Sequence, residues 1–96
     1  MIIVTGAFTA HPDTIGRLME ICVAHSRRSR MELGCIKHHV YANCEDPLKL
    51  FFYEEWTDED ALRAHFNVPE SNAFVAEARS LAADGVGPTV FTGDRQ

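Results

Sequence analysis

No apolar run in the sequence approaches the eighteen or so residues that a membrane-spanning helix requires. The chain begins Met-Ile-Ile-Val-Thr-Gly, and this start has neither the basic segment nor the cleavage site of a secretory signal. Low-complexity segments are also absent. We therefore expect a soluble, cytoplasmic protein with no membrane partner.

Positive charge is scarce as well. Nine Lys and Arg residues stand against fourteen Asp and Glu residues, so the formal net charge is −5. The basic cluster at Arg27, Arg28 and Arg30 is local and is not interleaved with aromatic residues, as a nucleic-acid footprint would be. Nucleic acid is therefore not an expected partner.

Cysteine is sparse and its spacing is uninformative. Cys22, Cys35 and Cys44 are odd in number and lack C-x-x-C spacing, which favours a reducing compartment over a disulfide framework. We expect all three to be small buried apolar residues. The histidines show no metal-ligand spacing and no H-E-x-x-H signature, so no metal site is predicted.

What remains is an ordinary globular composition. The 96 residues, 46% of them hydrophobic, suffice for one domain and leave no room for a second. We assign residues 1–96 to this single domain and expect the polar end, 93–96, to be a flexible tail.

Hydrophobic periodicity divides the first half into a strand and a helix. The segment from Ile2 to Ala10 is β-branched and stops at a His-Pro-Asp turn, which predicts the first strand. From Asp13 the apolar residues recur at three and four, which predicts a helix that continues towards Ser29 or Met31 and is closed by Gly34. His11 and His25 are expected to face solvent.

Two alternating stretches follow, separated by turn residues. Cys35–Cys44 predicts a second strand, and the aromatic stretch 50–56 predicts a third, central strand with both faces covered. Residues 43–47, Asn-Cys-Glu-Asp-Pro, should join them as an antiparallel hairpin.

The remainder predicts two helical segments and a short strand. Thr57 or Asp58 can cap a helix that ends near Phe66, and a second helix restarts at Pro69. Gly85 and Gly87 are expected to end that helix, before a short strand from Val86 to Thr92.

This order predicts an α+β, ferredoxin-like split βαβ fold, with a four-stranded antiparallel sheet and helices on one face. The opposite face also carries apolar residues that no further element can cover. A homodimer with sheets packed face to face, a dimeric α+β barrel, is the expected solution.

The junction after the third strand is the candidate functional site. If the helix folds back over its own strand, Glu54, Trp56 and His65 come within reach of one another. His38 and His39 are adjacent in a strand and must face opposite ways, so one of them faces the helices; the sequence leaves open which.

Two motifs carry a family resemblance: Ser29-Arg30-Met31-Glu32-Leu33-Gly34-Cys35, and Glu54-Glu55-Trp56-Thr57-Asp58-Glu59-Asp60-Ala61-Leu62-Arg63-Ala64-His65. In this order and spacing the chain resembles the antibiotic biosynthesis monooxygenase domain, a dimeric α+β-barrel family that includes quinol monooxygenases. The resemblance implies oxidation of phenolic or quinol-like aromatics by molecular oxygen, without a metal, flavin or other cofactor. Haem-degrading members use an Asn on the first strand and a Trp and a His on the helices, where this chain has Thr5, Ala7, His65 and Val75.

For such chemistry His65 is the expected catalytic base and Glu54 the carboxylate that orients it. Phe52, Tyr53 and Trp56 could stack on a flat substrate, with His38 and Arg30 as further binding residues. Each has a structural alternative: a paired His and Glu can simply fix a turn, Trp56 can belong to the core, and Arg30 can stabilise a helix end. An isomerase or decarboxylase on the same fold, or a non-enzymatic binding domain, also remains open.

Overall fold

The computed structural model describes all 96 residues. Four strands and three helices occur in the order β1 (Ile2–Ala10), α1 (Ile15–Ser29), β2 (Cys35–Ala42), β3 (Lys49–Trp56), α2 (Glu59–Phe66), α3 (Pro69–Leu81) and β4 (Ala82–Thr92). The sheet order is β2-β3-β1-β4 and each neighbouring pair is antiparallel. The predicted ferredoxin-like α+β architecture is therefore confirmed.

The helices cover one face of the sheet. Residues of β3 alternate between this face and the other, as period two requires, so that Leu50, Phe52, Glu54 and Trp56 are buried. Leu50 and Phe52 pack with Leu18 of α1 in the larger core cluster. Trp56 belongs to a smaller cluster with Ile2, Val4 and Leu62. None of the three helices combines the length and the hydrophobicity that a membrane span requires.

Two glycine-based predictions were wrong. The helix α1 ends at Ser29, and Gly34 lies further along the chain, with φ +86° in the turn before β2. Gly85 and Gly87 do not end α3, because β4 begins directly at Ala82 and both glycines lie inside it.

The second of these glycines belongs to a bulge. Between the pairs Thr5↔Thr89 and Ala7↔Val86, β1 supplies one residue and β4 supplies two, Gly87 and Pro88. Gly87 has φ +97°, a conformation that favours glycine. This irregular stretch lines a cavity between the sheet and the helices.

The cysteine expectation holds only for Cys22, which is fully buried, because Cys35 is partly exposed and Cys44 lies exposed in the turn between β2 and β3.

Candidate functional site

A cavity of about 330 Å³ lies between the sheet and the helices. The bulge of β1 and β4 forms part of its lining, and α3 contributes Phe74 and Arg79. Phe52 and Glu54 reach it from β3, and His25 and His65 reach it from α1 and α2. The cavity is at the small end of the range for small-molecule sites, and it brings aromatic rings together with ionisable groups.

The position of His65 depends on the N-cap of α2, the helix that carries it, and on the carboxylate of Glu32. Asp58 caps α2 by accepting a hydrogen bond from the Ala61 amide, 2.8 Å. Further along this helix His65 is 3% exposed, with its ring centroid 4.6 Å from that of Trp56. Its Nδ1 lies 3.0 Å from Glu32 Oε1.

The expectation that Glu54 orients His65 was therefore wrong. Glu32 contacts the ring, and Glu54 makes its hydrogen bond elsewhere. Burial lowers the pKa of His65, while the hydrogen bond and charge of Glu32 oppose that shift. The ring is thus neutral at pH 7, with the Nδ1 proton directed at a carboxylate. This tautomer leaves Nε2 free to accept a proton.

Glu54 lies on the sheet side of the same cavity and is 8% exposed. It accepts a hydrogen bond from Trp56 Nε1 at 3.0 Å. Burial raises the pKa of Glu54 to about 7, the Trp56 hydrogen bond lowers it, and the nearby charge of Glu32 raises it. Glu54 is therefore poised between its charged and neutral forms near neutral pH.

His38 faces the helices and His39 faces the other side of the sheet. The His38 ring is fully buried, and its Nδ1 lies 2.8 Å from Ser26 Oγ. Its Nε2 makes no hydrogen bond, although Glu54 Oε1 is 3.4 Å away. Burial lowers the pKa of His38 to about 2, so the contact with Glu54 is not an ion pair.

His25 was expected to face solvent, and that expectation was wrong. The residue is 8% exposed and its ring stacks on Phe74, with centroids 4.0 Å apart and planes 5° apart. Arg28 Nη2 lies 3.0 Å from His25 Nδ1. Burial, followed by the charges of His65 and Arg28, lowers the pKa of His25 to about 3.

The fold thereby gathers three histidines from three separate elements. Ring nitrogens of His25, His38 and His65 lie within 4.8 Å of one another, a grouping that sequence spacing did not predict. An arginine can only donate, so His25 Nδ1 must accept and the proton of the neutral ring is on Nε2. That nitrogen has no lone pair for a metal in this conformation, which argues against a three-histidine metal centre.

The other predicted binding residues divide between the cavity and elsewhere. Phe52 lines the cavity, whereas Trp56 is completely buried behind it. Tyr53 belongs to the opposite sheet face, where its hydroxyl donates to Glu55 at 2.6 Å. Arg30 donates to the carbonyl of His38 at 2.8 Å, so its contact is with the backbone of β2.

Together these features define a class of protein: a small antiparallel α+β domain with an aromatic-lined cavity, in which neutral imidazoles meet a carboxyl group whose pKa is raised by burial. The model of the antibiotic biosynthesis monooxygenase family matches residues 1–77, and the chain belongs to that family.

The comparison with curated proteins gives an uncharacterized relative, sll1783 of Synechocystis sp., 29% identical over 82 residues. The match covers 85% of this chain and 56% of that protein, so this chain spans about half the length of its relative.

Solved structures share the whole fold at low identity. A Deinococcus radiodurans protein described as a candidate antibiotic biosynthesis monooxygenase has a TM-score of 0.94 at 21% identity, covering 100% of this chain and 95% of that one. Rv0793 of Mycobacterium tuberculosis has a TM-score of 0.90 at 23% identity, and the match covers 99% of this chain and 96% of that one. A point mutant of SnoaB, a cofactor-independent oxygenase of Streptomyces nogalater, has a TM-score of 0.83 at 17% identity. The match covers 99% of this chain and 94% of the SnoaB chain.

Proposed function

We propose that this protein is a cofactor-independent monooxygenase that oxidises a small hydroxylated aromatic or quinol with molecular oxygen. The observation that carries the proposal is the state of His65 in the cavity. Its Nδ1 is held by Glu32, and its Nε2 makes no hydrogen bond within the protein. Family membership and the cofactor-independent oxygenase among the structural neighbours support the same reaction class.

The reaction begins with a proton transfer. His65 Nε2 accepts the proton of the substrate hydroxyl, and the Glu32 carboxylate stabilises the imidazolium that forms. The resulting aromatic anion is electron-rich and passes one electron to dioxygen, which gives a substrate radical and superoxide. Phe52 and Phe74 line the cavity with their rings close to perpendicular and 5.9 Å apart, and this apolar wall disfavours water beside the radical pair.

The two radicals then combine through a carbon–oxygen bond at a ring carbon that carries hydrogen. His65 returns its proton to the peroxide oxygen. Loss of the ring hydrogen and cleavage of the oxygen–oxygen bond release water and leave a new carbonyl. The sum is one substrate and one dioxygen converted into one quinone and one water, with no external reductant.

We expect His65→Ala to reduce oxygen consumption by about 100-fold or more with a panel of quinols and polyphenols, because proton removal initiates the reaction. The matched control is His39→Ala, which removes an imidazole from the other face of the sheet and should retain the parent rate. Addition of a chelator should leave the parent rate unchanged.

Other results would assign the cavity differently. Oxidation by His65→Ala at the parent's rate would remove this residue from the mechanism. Turnover that proceeds equally well without oxygen would identify an isomerase or decarboxylase acting through the same base.

A further inference from the structure

His25 and His65 border the same cavity with ring centroids 5.4 Å apart, yet their surroundings are chemically opposite. The Nδ1 of His65 meets a carboxylate, which can only accept a hydrogen bond. The Nδ1 of His25 meets a guanidinium, which can only donate a hydrogen bond. Two neutral imidazoles so placed must carry their protons on different nitrogens.

From this geometry we infer that His25 is a second catalytic residue: a neutral Nε2–H donor that binds the oxyanion created when His65 takes the substrate proton. The inference rests on the proposed function. His65 supplies a lone pair to the cavity and His25 supplies a proton donor, so the pair acts as base and oxyanion ligand. No bond of His25 is made or broken, since its proton stays on Nε2.

Arg28 is the positioning residue that fixes the His25 tautomer. Its guanidinium also donates to Glu32 at 2.9 Å and to Ser71 at 2.8 Å, so three partners hold it in one place. The same arginine therefore touches both Nδ1 of His25 and the carboxylate that orients His65. Burial among Phe52, Phe74 and the other imidazoles keeps His25 uncharged, which preserves it as a donor of fixed direction.

The remaining histidine of the cluster differs from both. His38 has its Nε2 sealed from solvent, whereas Nε2 of His25 and of His65 is neither hydrogen-bonded nor sealed. Only the latter two rings line the cavity. A substrate in the cavity therefore meets the base and the donor, with His38 behind them.

The first test reads the tautomers directly and needs no substrate. In protein labelled with ¹⁵N-histidine, two-bond ¹H–¹⁵N correlation spectra at pH 7 should show His65 protonated on Nδ1 and His25 protonated on Nε2. Arg28→Met should convert His25 into a mixture of both tautomers. Arg27→Met, an exposed arginine one position earlier on the same helix, should leave His25 unchanged. A His25 ring protonated on Nδ1 in the parent would overturn the inference.

The second test measures turnover. His25→Phe keeps a ring to stack on Phe74 but removes the donor, and kcat should fall roughly 10- to 100-fold with little change in KM. His25→Gln restores an N–H donor and should recover part of that loss. A kcat for His25→Phe equal to the parent's would overturn the donor role. If the parent itself consumes no oxygen, the proposed function is wrong, and so is the catalytic role of His25. The spectra still decide the tautomers of His25 and His65 in that case.

Discussion

The three buried imidazoles owe their different properties to their hydrogen-bond partners and not to burial, which all three share. Desolvation disfavours the charged ring in each case and lowers each pKa. Each ring makes its hydrogen bond through Nδ1, but to a different group. The partner is a carboxylate for His65, a hydroxyl for His38 and a guanidinium for His25. Residue chemistry alone could not distinguish them, because the partners could not be assigned from the sequence.

Glu54 gives the protein a pH-dependent stability of known sign. Its pKa of about 7 in the folded state exceeds the 4.5 of a free carboxyl, because burial disfavours the charge. The folded state therefore keeps a proton that the unfolded chain has lost, so this contribution to stability is present below pH 4.5 and is lost as the pH rises through 7. Glu54→Gln removes the ionisation and keeps an oxygen for Trp56.

We compare the free energy of unfolding of Glu54→Gln with that of the parent at about pH 5 and at about pH 8. The difference should shift in favour of Glu54→Gln by up to about 3 kcal/mol from the lower pH to the higher. Urea unfolding at both pH values measures this difference. Glu45→Gln, in the exposed turn between β2 and β3, should shift both values equally. Parallel pH profiles for Glu54→Gln and the parent would contradict the assignment.

His25 and His38 act in the opposite direction at lower pH. The pKa of His25 falls to about 3 and that of His38 to about 2, against 6.5 for a free ring. Their contribution to stability is complete above pH 6.5 and is lost as the pH falls towards these values. Comparison of Glu54→Gln with the parent cancels this shared loss, which is why the difference, and not the parent curve, is the informative quantity.

At the scale of elements, the periodicity predicted every strand and helix in the correct order and the hairpin between β2 and β3. The same periodicity contained a signal for His25 that was missed. This residue falls on the apolar stripe of α1, seven positions after Leu18 and three after Cys22, and that stripe faces the core. Glu32 had no such signal, because it lies in the irregular segment between α1 and β2, where no period fixes the direction of a side chain.

Gly34 connects that irregular segment to the start of α2. Its carbonyl accepts the Thr57 amide at 2.9 Å, and it has φ +86°. A Cβ at this position would lie 2.5 Å from Ala61 Cβ and 2.8 Å from Thr57 Oγ1. Only glycine allows the turn before β2 to pack this closely on the helix that carries His65.

Gly34→Ala should therefore lower the free energy of unfolding by about 3 kcal/mol, since strained backbone and a steric clash add together. Gly16→Ala is the matched control: it lies exposed in α1, an added Cβ there meets nothing within 4 Å, and the change should stabilise by up to about 1 kcal/mol. Thermal and urea unfolding of both variants measure the contrast. Equal stabilities would show that the turn relaxes without cost.

At the scale of the whole molecule, the helices leave the second face of the sheet bare. Tyr41, Phe51 and Phe91 are each about half exposed, and the strand register places Tyr41 and Phe51 side by side. Adjacent exposed aromatic residues on a single sheet face are typical of an interface, and nothing else in the chain can cover them. The face also carries His39 and Tyr53, which is why these residues are absent from the cavity.

We therefore expect two copies to associate through this face in solution, with Phe51 near its centre because β3 is an inner strand. Phe51→Asp would bury a charge in that interface and should weaken dimerisation by at least about 2 kcal/mol, or roughly 30-fold in Kd. Because Phe51 is 44% exposed in the single chain, the fold itself should survive the change, and circular dichroism checks this.

The matched control is Leu33→Asp, which replaces an apolar side chain, 95% exposed in the turn before β2, with the same charge. Sedimentation velocity across a concentration series should then give dimers for the parent and Leu33→Asp, and monomers for Phe51→Asp. A monomeric parent, or a Phe51→Asp protein as dimeric as the parent, would place the interface elsewhere or remove it.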